Sequence, residues 1–144
     1  MKMNAYTFDE INVGMQVSFE KRITSQMEDS FRELTEDVNP LHQDDDFAKE
    51  IGGERFKGHV AFGMLTASLL STVAGVYMPG KYSLIHSVDG LSFLKPVYAQ
   101  DVLKISAEVI DTVDELKLII LKVAIRNQNN VLVARAKMKV LVMK

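Results

Sequence analysis

From Val60 to Gly80 the chain reads VAFGMLTASLLSTVAGVYMPG without one charged residue, and this run restricts the possible folds more than any other feature. An uncharged stretch of about 20 residues is long enough to cross a bilayer. Here, however, Thr66, Ser68, Ser71 and Thr72, with Gly63 and Gly75, leave the run only weakly apolar. A helix without a charged face can equally form the centre of a globular core, and that is the preferred reading, with no membrane contact. The glycine-rich GGERFKG at 52–58 precedes the run and Pro79-Gly80 closes it, so a helix is predicted from about Ala61 to Met78.

A helix buried on all sides needs a sheet curled around it, and the second half of the chain supplies the strands. Leu103, Ile105, Ala107 and Val109 alternate with Lys104, Ser106 and Glu108. Leu132, Ala134, Ala136, Met138, Val140 and Val142 alternate with residues that include Arg135, Lys137 and Lys139. Period-2 alternation of this kind describes strands with one wet face. Residues 116–126 are more uniformly apolar, and NQNN at 127–130 has the turn chemistry of a hairpin. YSLIHSVDGLSFLKPV at 82–97 makes a further strand, bent at Gly90. With a short N-terminal strand these elements predict an α+β fold, a curved antiparallel sheet wrapped around a central apolar helix, which is the hotdog arrangement. Residues 1–144 are expected to form one such domain, without repeat or linker. Such a sheet leaves strand edges open, and pairing two of them edge to edge predicts at least a homodimer.

Composition narrows the function classes. Lys plus Arg number 17 and Asp plus Glu 19, for a net charge of −2, with no basic stripe to attract nucleic acid or anionic lipid. There is no cysteine, which removes disulfides, thiolate nucleophiles and Cys-based metal centres, and suits a reducing cytoplasm. Asp9 and Glu10 interrupt the N-terminus where a secretory leader would be apolar.

The chemistry is expected in DVNPLHQDD, residues 37 to 45. Before it, SQMEDSFRELTED carries Ser25 and Glu28 at capping-box spacing and predicts a helix ending near Asp37. Pro40 biases Asn39 away from the helical region, so the helix cannot run on through the Asn-Pro step and the chain must kink. Asn39 then caps a second helix with Pro40 as its first residue, and Asp44, Asp45 and Asp46 fall in its opening turns. The kink lets Asp37 and His42 face a common point, where a carboxylate and an imidazole sharing one water can take its proton and return one, with burial raising the aspartate toward neutrality. Two other readings stay open on spacing alone. Asp37 and His42 can simply end one helix and begin the next, or His42 and the Asp44–Asp46 run can ligate a metal, although adjacent aspartates point in different directions. His86, in a strand, and His59, in the loop before the long helix, read as packed, surface or internally satisfied histidines.

DVNPLH at 37–42 resembles the signature of the MaoC-like (R)-specific enoyl-CoA hydratases, which have the hotdog fold. The similarity continues through Phe47-Ala48, FGMLTASLLS at 62–71 and LSFLKPVYAQD at 91–101, in the family's order. The resemblance implies reversible syn addition of water to a trans-2-enoyl thioester of CoA or acyl carrier protein, giving the (R)-3-hydroxyacyl thioester, with no metal or redox cofactor. It places the catalytic pair on Asp37 and His42. On the substrate side it places Asn39 in the turn that shapes the site and the Gly63 backbone N–H on the thioester oxygen, assisted by the helix dipole. The small residues Ala67, Ser71, Ala74 and Gly75 form a stripe on the predicted helix, and the resemblance implies that Ser71 and Ala74 line a tunnel for the acyl tail. Close packing against the sheet would explain the same stripe. The sequence departs from the family at Phe62, where a histidine usually precedes the Gly-Met pair; His59 does not align with that position, and the segment from His42 to Gly63 is a few residues longer than usual. A hotdog thioesterase, or an acyl-thioester-binding module without turnover, are the rival readings.

Overall fold

A computed structural model of the chain describes residues 2–144. In chain order it contains β1 (Gln16–Arg22), α1 (Ser25–Thr35), α2 (Asp45–Gly52), α3 (Gly63–Thr72), β2 (Ser83–Phe93), β3 (Val102–Val113), β4 (Leu118–Arg126) and β5 (Leu132–Val142). The five strands form one antiparallel sheet in the order β1-β3-β4-β5-β2. As the alternation predicts, buried residues line up across the three central strands: Ile105 opposite Ile125 and Ala134, Ala107 opposite Val123 and Ala136, Val109 opposite Leu121 and Met138. Directly opposed apolar side chains are the unit from which a sheet draws its stability. Leu65, Leu69, Leu70, Val73 and Ala74 join this face in one core. The arrangement is the hotdog fold.

The predicted bend at Gly90 is present: its φ is +61° and the β2–β5 register shifts between Asp89 and Ser92. NQNN makes the β4–β5 connection, with the Asn127 side chain accepting from the amides of Asn129 and Val131.

Three helical expectations are corrected. The central helix is regular only to Thr72, and Val73–Tyr77 continues as one π-helical turn, which takes an extra residue per turn and rotates Ala74 and Gly75 away from the α-helical phase of Ala67 and Ser71. Nor is it buried all round: Met64 is 59% exposed, and Ser68 and Ser71, one and two turns on, share that open face. Finally, α1 is capped by Thr24, whose side chain accepts from the Met27 amide, so the Ser25–Glu28 capping box does not form. Glu28 is buried and its carboxylate is engaged by His59. No described helix is long and apolar enough to cross a membrane.

Candidate active site

The kink between α1 and α2 is built from side chains accepting backbone hydrogen bonds two residues ahead. Glu36 ends α1 in the left-handed region (φ 59°). The Asp37 carboxylate then accepts from the Asn39 amide at 3.1 Å, and the Asn39 side chain accepts from the Leu41 amide at 3.0 Å. Asx turns of this type offer the chain an alternative to helix. Pro40 opens a single 3-10 turn, Pro40–His42, rather than the second helix, which starts at Asp45 under the cap of Asp44. The predicted cap at Asn39 therefore exists, but on a shorter element than expected, because Asp44 competes for the helix start.

His42 is fixed on several sides. Its Nδ1 lies 2.8 Å from the Val60 carbonyl oxygen. A carbonyl can only accept, so Nδ1 carries the hydrogen, which leaves Nε2 as the proton acceptor in the neutral form of the ring. Arg32 donates to the His42 carbonyl at 3.2 Å, and the ring packs on Phe62 with centroids 4.3 Å apart. Phe62, 2% exposed, also meets Phe31 and sits below the Arg32 guanidinium. The residue that departs from the family pattern thus forms an apolar floor for His42.

Gly63 opens α3 beside it. Leu65 and Thr66 both donate to the Phe62 carbonyl, whereas the first amides of a helix have no partner within it. A Cβ at Gly63 would stand 3.3 Å from the Phe93 ring, tighter than ordinary contact. Asp37, His42, Phe62, Gly63 and Phe93 border one cleft of about 320 Å³. His42, Gly63 and Phe93 also border a larger one of about 580 Å³, which carries Arg55, Phe56 and Lys95 on its wall. The arrangement offers a carboxylate, a proton-accepting imidazole nitrogen and a helix N-terminal amide at one place, suited to moving a proton while stabilising an oxyanion.

The other expectations fall as follows. Asp37 is exposed, not buried, because it sits on the surface loop of the kink. Asn39 shapes the turn through Leu41 and borders neither cleft; Ser71 is exposed and Ala74 is 1% exposed in the core, and they too lie outside both clefts. Among the described residues no group of three or more His, Asp and Glu side chains is placed to hold a metal. His86 lies exposed on β2. Val60 and Phe93 were invisible in the sequence: Val60 acts through a backbone carbonyl, which carries no residue-type signal, and Phe93 reaches the site only through the sheet.

Fold and cleft define a hotdog domain with a polar site at the N-terminus of its central helix. The family model described as MaoC like domain matches residues 9–131, and the chain belongs to this family. It is 39% identical over 99 residues to an (R)-specific enoyl-CoA hydratase of Aeromonas caviae, covering 69% of each chain. It is 32% identical over 108 residues to a 3-hydroxybutyryl-CoA dehydratase of Methylorubrum extorquens, covering 75% of this chain and 66% of that one. Among solved structures, the (R)-hydratase from A. caviae involved in PHA biosynthesis superposes with a TM-score of 0.84 at 31% identity, over 92% of this chain and 97% of the other.

Proposed function

We propose that the chain is a hydro-lyase that hydrates trans-2-enoyl-CoA reversibly to (R)-3-hydroxyacyl-CoA, with Asp37 and His42 as its acid–base pair. The observation that carries this reading is the meeting of Asp37, His42 and Gly63 on one cleft of a chain whose relatives bear the names of such hydratases. The pair holds a water and takes its proton as the oxygen attacks C3; the double-bond electrons move through C2 to the thioester oxygen, where the Gly63 N–H stabilises the charge. The enolate then collapses as C2 accepts a proton from the same pair, which delivers H and OH to one face. Asp37 and His42 share the one water, so base and acid are roles of the pair. Arg55 and Lys95 on the larger cleft put positive charge where a phosphate-bearing carrier, CoA or acyl carrier protein, would lie.

The chain works as one domain over residues 1–144, in the cytoplasm, and as a homodimer. Supporting the dimer, β2 is an edge strand that leaves Leu84 54%, Val88 40% and Phe93 49% exposed, and Phe93 borders a cleft together with the exposed Met64 of α3. The test is a short trans-2-enoyl-CoA substrate. Loss of the conjugated absorbance without thiol release is expected. Thiol release would instead make the protein a thioester hydrolase, and tight binding with neither change would make it a binding module.

A further inference from the structure

Behind the catalytic pair lies a second group of titratable side chains, which no step of the proposed reaction uses. His59 sits in the loop leading to α3, between two carboxylates from different helices. Its Nδ1 is 2.6 Å from Asp45 Oδ1 in α2, and its Nε2 is 3.3 Å from Glu28 Oε2 in α1. The backbone N–H of His59 donates to the same Asp45 oxygen at 2.8 Å. Carboxylates accept, so the two contacts together suit a ring with a hydrogen on each nitrogen, the imidazolium form. Glu28 is 3% exposed, and a carboxylate so buried requires a charged or hydrogen-bonding partner. Gly58 lies against the same device: a Cβ there would come within 2.9 Å of Asp45 Oδ1 and push on the carboxylate that holds His59.

The residue after this clamp is Val60, whose carbonyl accepts the Nδ1 hydrogen of His42 and whose amide donates to the Leu41 carbonyl at 3.1 Å. The next amide, of Ala61, is tied to the Val97 carbonyl at 2.7 Å. We propose that His59, held between Asp45 and Glu28, is a positioning residue for His42: it fixes the loop so that the Val60 carbonyl keeps the hydrogen of His42 on Nδ1 and leaves Nε2 facing the site as acceptor. The inference rests on the proposed role of His42, but its physical content, the tautomer of one ring, can be read without substrate.

The test is long-range ¹⁵N–¹H correlation of the imidazole side chains, with the His42 signals assigned by their loss in His42→Gln, combined with steady-state kinetics. In the unaltered protein neutral His42 is expected in the Nδ1–H form. His59→Ala and Asp45→Ala are expected to shift it toward a mixture with the Nε2–H form and to lower kcat about 10- to 100-fold, the scale of a misplaced catalytic group, with KM within about twofold. Asp45→Asn, which keeps the acceptor oxygen, is expected to fall between Asp45→Ala and the unaltered protein. The Asp45 side chain is 63% exposed, so its variants fold even if His59→Ala does not. An unchanged His42 tautomer and unchanged kcat in the alanine variants overturn the proposal and leave the clamp a structural feature, whatever happens to the melting temperature. A shifted tautomer in a protein that hydrates no enoyl thioester would instead sink the proposed function and leave the positioning role intact.

Discussion

At the residue scale, Asp37 and His42 border one cleft and are separated in sequence by a kink made of two Asx turns. If they act on one water, neither retains its role without the other. Asp37→Asn and His42→Ala are each expected to reduce turnover by about a hundredfold or more, and the double variant to be little worse than either. Penalties that multiply in steady-state assays would show independent roles. A second expectation concerns pH. Partial burial pushes the His59 imidazole down, but its hydrogen bonds to Asp45 and Glu28, and the charge of those carboxylates, outweigh that, and its pKa is raised. The His59 backbone amide and then its side chain, with a further contribution from the charge of Lys49, hold Asp45 below its usual range. A raised histidine contributes stability that is complete below its unfolded value of about 6.5 and is lost as pH rises through the folded value. A lowered aspartate contributes above about 3.9 and fails as pH falls through its own folded value. The urea midpoint of the unaltered protein should therefore exceed that of His59→Asn most at about pH 5.5, with the gap closing on the alkaline side of 6.5. A gap that widens with rising pH would contradict the ion-paired clamp.

At the scale of elements, the central helix changes character where it was expected to be uniform. Its regular part presents Gly63 to the cleft, and the π turn that follows carries Ala74 into the core. The proposal that Ser71 and Ala74 line a tunnel for the acyl tail stands apart from the two clefts and needs its own test. One methylene alters discrimination only about tenfold or a little more, so a large change is required. Because Ala74 is packed in the core, Ala74→Leu is expected to lower the melting temperature by overpacking, and, if the tail passes there, to depress activity on long enoyl chains while sparing four-carbon substrates. Equal loss at every chain length would show that Ala74 serves packing alone and that the tail runs elsewhere.

Across the whole molecule, the sheet is closed by neither of its edges. β1 and β2 are terminal; β2 exposes Leu84, Ile85 and Val88, and α3 leaves Met64, Ser68 and Ser71 uncovered. An edge both long and apolar invites a second sheet. Light scattering at micromolar concentration is expected to give a dimer, and Val88→Lys to shift it toward monomer. A monomer with full activity would remove the dimer from the account of function.

Much of this was legible in one dimension because it depends on local periodicity. Alternation at 102–113 and 131–143 placed the strands and their buried faces, the uncharged run placed the central helix, and the Asp-x-Asn-Pro-x-His spacing placed the kink with both candidate catalytic side chains. These signals act over two to five residues, the range within which backbone conformation is decided. What required the tertiary structure joins distant segments. Glu28 and His59 stand 31 residues apart, so Glu28 read as half of a capping box until the folded chain brought a histidine to it. Val60 and His42, 18 apart, meet through a backbone carbonyl that every residue type possesses. The sequence by itself determined the strands, the kink and the central helix, and marked Asp37 and His42 as the candidates for chemistry; the tertiary structure decided which partner meets the His42 ring, and a tautomer is set by the partner that packing delivers.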